Sequence, residues 1–266
     1  MTDLLAARGL GIAFGGVVAL RDFELSVAEG DLLGLIGPNG AGKTTAFNLL
    51  SGVLAGGAGS IRFAGQDISR ASPERRARLG MTRTFQNIRL FEELTVLQNV
   101  MAGAHARHGA GLFDALFGGP RLRRSEAAIR ERAEAVLART GLGDLARQRA
   151  DALSYGDRRR VEIARALASE PRLLLLDEPA AGMNEREKAD LSTLITRLNA
   201  DDGLTIVLVE HNVRMVAGLC RRLLVLHKGE RLAEGPTEEV LRDPDVVAVY
   251  LGRRRQPAAV AASAPC

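Results

Sequence analysis

The chain has 266 residues, 46% of them apolar and 26% charged, with a formal net charge of +4. That length suits one large α/β domain, or such a domain with a smaller one inserted. No apolar run reaches the ~18–20 residues a membrane-crossing helix needs. The first residues carry Asp3 and Arg8 without an apolar core behind them, unlike a signal peptide.

Taken in chain order, LRDFELSV (20–27) alternates Phe23, Leu25 and Val27 inward, and SIRF (60–63) repeats the pattern with Ile61 and Phe63. Turn-like AEGD (28–31) and AGQD (64–67) follow them. These runs predict a small antiparallel sheet near the N-terminus. LLGLI (32–36), LLLL (173–176) and TIVLV (205–209) are apolar throughout, as strands are when both faces of a parallel sheet are covered. Helical patterns separate them, which predicts a βαβ core.

The texture changes between about 88 and 155, where no strong strand pattern appears. SEAAIRERAEAVLART (125–140) puts Ile129, Val136 and Leu137 on one helical face, with Gly141 as a C-terminal cap. GLFDALFGGP (111–120) reads as a loop or short helix. The whole stretch is expected to be a helical insertion. LLVLHKGERLAEG (223–235) predicts a hairpin turning at Lys228 and Gly229, and residues 253–266 read as a disordered tail. Of the two cysteines, Cys220 is expected in a core and Cys266 in the tail; they show no metal or disulfide spacing. Arginine supplies nearly all the basic charge. The charges are interspersed, which argues against a nucleic-acid surface.

GPNGAGKTT (37–45) fits G-x-x-x-x-G-K-[ST] between an apolar strand and a helical AFNLLSGVL. Gly37, Pro38, Asn39, Gly40, Ala41 and Gly42 form the loop, whose N–H groups are suited to converge on phosphate oxygens. The helix start adds partial positive charge. Lys43 is expected to reach the β- and γ-phosphates of ATP. Thr44 is expected to hold Mg²⁺ through its hydroxyl, with Thr45 as a neighbouring phosphate donor. LLLLDEP (173–179) ends a buried strand in two acids, aimed where ligands bind in parallel sheets. Asp177 is placed to hold Mg²⁺ through water, and Glu178 to polarise the attacking water. TIVLVEHN (205–212) ends near His211, suited to hydrogen-bond the γ-phosphate or orient that water. His105, His108 and His227 are expected to be exposed. Gln86, in TRTFQN (82–87), is suited to sense metal and water. Phe14, flanked by glycine in GIAFGG, is either a core residue or a ring that stacks on a base.

DALSYGDRRRVEIARAL (151–167) reads as a helix capped by Ser154, with Asp157 completing a capping box and Arg158 pairing with Glu162. Tyr155 and Gly156 have no place in that plain reading, because glycine weakens a first turn.

GPNGAGKTT, TFQ, LSYGDRRRVEIARAL, LLLLDEP and the EH of VEHN stand in the order seen in the ATPases of ABC transporters, which the chain resembles up to about residue 252. The resemblance implies a P-loop NTPase (RecA-like) core, about 4–87 and 156–252, with an N-terminal antiparallel β subdomain and a helical insertion at about 88–155. It implies two ATPase subunits packed head to tail, with Ser154 and Gly156 reaching the γ-phosphate bound by the partner. It also implies that Phe14 stacks on adenine and that Gln86 links the nucleotide and Mg²⁺ to the membrane subunit. Lys43, Glu178 and His211 would be catalytic; Thr44, Gln86 and Asp177 would hold the metal. Tyr155, Asp157 and Asn184 depart from the family pattern of glycine, glutamine and aspartate.

RTFQNIRLFEELTVLQNV (83–100), GLFDALFGGPRLRRSE (111–126), DEPAAGMN and VVAVYLG resemble one branch, the importers of branched-chain amino acids, and its larger ATPase subunit. That implies two integral-membrane permease subunits, an identical or paralogous second ATPase, a periplasmic solute-binding protein, and a seat on the cytoplasmic face of the plasma membrane. Phe85, Phe91, Phe113 and Phe117 cluster in or beside the insertion, as its core or as a partner groove. Urea or amide uptake and lipid or lipopolysaccharide export are the neighbouring readings. A nucleic-acid- or ribosome-associated ATPase is the distant one, and no second P-loop or added domain supports it.

Overall fold

A computed structural model describes residues 3–108 and 120–251. GLFDALFGG, with Phe113 and Phe117, and the 253–266 tail, with Cys266, lie outside the described residues, as does the side chain of His108.

Two sheets organise the chain. In the first, β1 (Asp3–Phe14), β2 (Val17–Ala28), β4 (Ala58–Phe63) and β5 (Gln66–Asp67) pair antiparallel in the order β2-β1-β4-β5. Phe23, Leu25, Val27, Ile61 and Phe63 are all buried, as their alternation requires. The central strand, β1, does not alternate cleanly. Leu5 and Ala7 are buried at odd positions and Leu10 at an even one. A register shift between Ala7 and Leu10, with Gly9 at φ 61°, changes the parity.

The second sheet has the order β10-β9-β3-β8-β7-β6, with β3 (Leu32–Ile36), β6 (Met81–Arg83), β7 (Leu173–Asp177), β8 (Thr205–Val209) and β9 (Arg222–His227) running parallel. β10 (Glu230–Pro236) is the antiparallel edge, joined to β9 at Lys228 and Gly229, both at positive φ. The three continuous apolar runs are neighbours in the middle of this sheet. Their residues divide by parity. Leu173, Leu175, Val207 and Val209 face the antiparallel sheet and α1 (Lys43–Ser51). Leu174, Leu176, Ile206 and Leu208 face the helices on the other side. Each buried Leu or Ile contributes roughly 1.5–3 kcal/mol by leaving water.

From Val96 to the helix α5 (Tyr155–Leu167) the described elements are helical: α3 (Val96–His108), α4 (Pro120–Arg139), and short 3-10 turns at Gly143–Leu145 and Ala150–Ala152, with an isolated bridge joining Thr95 to Arg149. The short α2 (Pro73–Arg78) precedes β6, capped by Ser72. Ile129, Val136 and Leu137 are buried together. Gly141, at φ 69°, ends α4: Gly141 N–H donates to Ala138 O, and Leu142 N–H to Leu137 O. α3 lies so close to α5 (Tyr155–Leu167) that a Cβ on Gly103 would stand 2.0 Å from Arg165 O. α6 (Glu185–Ala200), α7 (Val213–Leu219), α8 (Thr237–Arg242) and α9 (Pro244–Leu251) complete the described chain.

The expectations for Arg158 and His227 need correction. Arg158 does not pair with Glu162. Glu162 is buried and pairs with the fully buried Arg159 at 2.6 Å, because both lie on the inward face of α5; Arg158 donates instead to Asp151 O. His227 is half-buried at the end of β9 rather than exposed, while His105 is exposed.

Candidate nucleotide site

The loop 37–42 joins the end of β3 to the start of α1. Gly40 and Gly42 have φ of 78° and 105°, in the left-handed region that other residues resist. A Cβ on Gly42 would also lie 2.6 Å from Ala19 O, so the loop can seat against β2 only with glycine there. Lys43 follows on the first turn, buried, its Nζ donating to Gly37 O at 2.7 Å and Pro38 O at 3.0 Å. Burial lowers its pKa; the charges of Glu178 and Asp177 oppose that shift.

A cleft of about 850 Å³ opens over this loop, lined by residues 37–45, Gln86, Glu178, His211, Tyr250 and the exposed hairpin residues Val17 and Val18. Three parallel strands aim the polar groups at it, as expected for ligands at the carboxyl ends of such strands. Glu178 follows β7 with φ 46°, a conformation costing about 1–3 kcal/mol for a non-glycine residue. Its N–H donates to Val209 O, and its carboxylate accepts from Gln86 Nε2 at 3.0 Å. His211 Nδ1 stands 3.7 Å from the same Glu178 oxygen.

Asp177 ends β7, and its Oδ2 accepts from Arg83 Nη2 at 2.6 Å. Both side chains are buried. Arg83 also donates to Asn48 and Ser51 of α1 and lies near the rings of Phe47 and Phe85. It thereby ties β6, α1 and β7 under the cleft.

Thr44 and Gln86 line the cleft with a hydroxyl and an amide; Asp177 does not line it, and its carboxylate is held by Arg83. No group of three or more His, Cys, Asp or Glu able to hold a metal occurs among the described residues. The Thr44 hydroxyl is a hard oxygen donor of the kind that suits Mg²⁺, which is usually held by one or two protein groups with substrate oxygens and water.

Phe14, Ser154 and Gly156 do not line the cleft. Phe14 stands half-exposed at the end of β1, paired with Val17. Ser154 caps α5, accepting from Asp157 N–H; its hydroxyl donates to the Asp157 carboxylate, so the reciprocal backbone bond of a capping box is not the one made. Gly156 touches α6: a Cβ there would meet Glu187 Oε1 at 2.7 Å. The Tyr155 ring covers Gly182 of the loop after β7. Asn184 caps α6 in a full capping box with Glu187.

Several residues escaped the sequence reading. Arg159 donates to Phe85 O and Gln86 O, both at 2.6 Å, and so fastens the Gln86 loop to α5. Its signal was a charge pair at i, i+3 on the face shared with Ile163 and Ala166. Glu210 is buried, accepting from Ala180 N–H and His211 N–H, and so links the two loops that follow β7 and β8. Arg83 gave no periodic signal, being part of a three-residue edge strand.

The sequence profile described as "ABC transporter" matches residues 20–181, and one described as "Branched-chain amino acid ATP-binding cassette transporter" matches residues 230–255. The chain is 42% identical over 249 residues to the high-affinity branched-chain amino acid transport ATP-binding protein LivG of Salmonella typhimurium, covering 94% of this chain and 98% of that one. It is 37% identical over 256 residues to the lipopolysaccharide export system ATP-binding protein LptB of Acidithiobacillus ferridurans, covering 96% and 100%. Among solved structures, the ADP conformation of MJ1267, an ATP-binding cassette of an ABC transporter, aligns with a TM-score of 0.82 at 32% identity, covering 95% of this chain and all of that one.

Proposed function

The chain belongs to the ABC transporter ATP-binding proteins, and on that premise we propose that it powers uptake of branched-chain amino acids through partner permeases. It is an ATP hydrolase of the transport-coupled kind. The observation that carries the reading is the pairing of the 37–45 loop with Glu178 in one cleft, on a chain that matches the LivG relative over nearly its whole length.

The phosphate chain of ATP lies on the N–H groups of the loop, and Lys43 turns from the Gly37 and Pro38 carbonyls to the β- and γ-phosphates. Thr44, Gln86 and Asp177 would hold Mg²⁺, Asp177 through water, and the ion would neutralise phosphate charge. Glu178 orients the attacking water and accepts its proton; Gln86 and His211, beside it, fix its carboxylate and the γ-phosphate. Phe14 and the neighbouring hairpin receive the adenine. Ser154 and Gly156 serve the nucleotide of a second ATP-binding subunit, identical or paralogous, facing the cleft. Two integral-membrane permeases and a solute-binding protein complete the assembly at the inner face of the membrane.

The experiment is uptake of radiolabelled leucine into vesicles holding the reconstituted assembly. Glu178→Gln is expected to slow ATP hydrolysis by about 10²–10⁴-fold and to stop uptake while ATP still binds. Hydrolysis at the unmodified rate would remove Glu178 from this role. The LptB similarity supports a second reading, lipopolysaccharide export. ATP-dependent uptake of leucine, isoleucine or valine would exclude it.

A further inference from the structure

The ladder between β6 and β7 ends at Thr84, whose N–H donates to Leu175 O. Phe85 and Gln86 follow outside any strand or helix, so their backbone groups need other partners. Two buried charges on α5 supply them. Arg159 donates to Phe85 O and Gln86 O, each at 2.6 Å, and the Glu162 carboxylate accepts from Phe85 N–H at 3.4 Å. The two side chains hold each other at 2.6 Å and are 0% and 2% exposed. From the backbone so held, the exposed Gln86 side chain reaches out and donates to the Glu178 carboxylate at 3.0 Å.

A buried ion pair adds little stability over apolar side chains of the same volume. This one does what apolar side chains cannot: a planar guanidinium grips two successive carbonyls at once. An exposed glutamine has many rotamers, and a fixed backbone limits where its amide can go. We propose that Arg159, braced by Glu162, is a positioning residue for ATP hydrolysis, acting through Gln86 on Glu178. The inference rests on reading Glu178 as the group that activates water. Neither Arg159 nor Glu162 lines the nucleotide cleft, so the pair governs turnover and not nucleotide binding. α5 is capped by Ser154, so the same clamp ties the segment proposed to serve a second subunit to this chain's own carboxylate.

Arg159→Lys keeps the charge against Glu162 and loses the planar fork. In the reconstituted assembly its kcat for ATP is expected to fall about 10–10²-fold, the scale of a misplacement of about 1 Å. Its affinity for a fluorescent ATP analogue is expected to stay within about twofold of the unmodified protein's, a split that general loss of structure would not give. Glu162→Gln keeps the side-chain shape and removes the charge that braces Arg159. It is carried through the same measurements, so the test stands even where Arg159→Lys fails to fold. The deciding step is a double-mutant cycle with Gln86→Ala. On that background neither Arg159→Lys nor Glu162→Gln is expected to slow hydrolysis further. Losses that multiply, or an unchanged kcat in the single variants, would overturn the inference. Glu178→Gln hydrolysing ATP at the unmodified rate would instead remove the reading of Glu178 on which it rests.

Discussion

Arg83 and Asp177 bury opposite charges at 2.6 Å beneath the cleft. Removing one partner of such a pair strands the other in a low dielectric. Arg83→Met is therefore expected to destabilise the fold by about 3–5 kcal/mol in urea unfolding. Adding Asp177→Asn is expected to restore part of that loss; an additive loss would mean the two charges are not coupled. Cys220 is buried against Gly34. Burial pushes its thiol up to about 12 from 9.0. The folded chain holds that proton more tightly than the unfolded one. Its contribution to stability is complete below pH 9 and is lost as pH rises toward 12. In a Cys266→Ser background, no thiol is expected to react with a disulfide reagent at pH 8 until denaturant is added. Prompt native labelling would contradict the packing of Cys220 against Gly34. The placement of single residues was legible where a motif names them, as with Lys43 and Glu178, which both line the cleft. That of Arg83 and Glu210 was not, because their partners lie 94 and 30 residues away and only the fold brings them together.

Elements were legible in proportion to the regularity of their burial. β3, β7 and β8 are buried on both faces, so runs of four or five consecutive residues without a charge, almost all apolar, sufficed. The bulge at Gly9 scrambled the alternation of β1, although it is the centre of its sheet. β6 is three residues long and carries no period. The charged inward face of α5 misled the pairing of Arg158, because Arg159 and Glu162 are satisfied by each other and by the backbone of Phe85 and Gln86. Asn184 departs from the aspartate of many relatives, yet it caps α6 fully. Asn184→Ala is expected to cost about 1 kcal/mol of stability, whereas Asn184→Asp changes it by less than about 0.5 kcal/mol. Thermal melts of the two variants separate a capping role from one that needs the amide.

At the scale of the molecule, one face of the parallel sheet receives the antiparallel sheet and the other receives the helices, and the cleft opens at the strand ends between them. The cleft gathers the loop, Gln86, Glu178, His211 and Tyr250, but Ser154 and Gly156 stand apart from it on α5. That separation was legible as two phosphate-suited segments in one sequence. A second subunit facing the first, as proposed, would resolve it. The most direct measurement is the mass of Glu178→Gln in solution, by light scattering, alone and mixed with a paralogous ATP-binding subunit. With MgATP the mass is expected to double, with ADP to remain that of one chain, and with Gly156→Asp added to remain so in ATP. A single-chain mass in saturating MgATP under both conditions, with Gly156→Asp hydrolysing ATP as fast as the unmodified protein, would contradict a site built from two subunits.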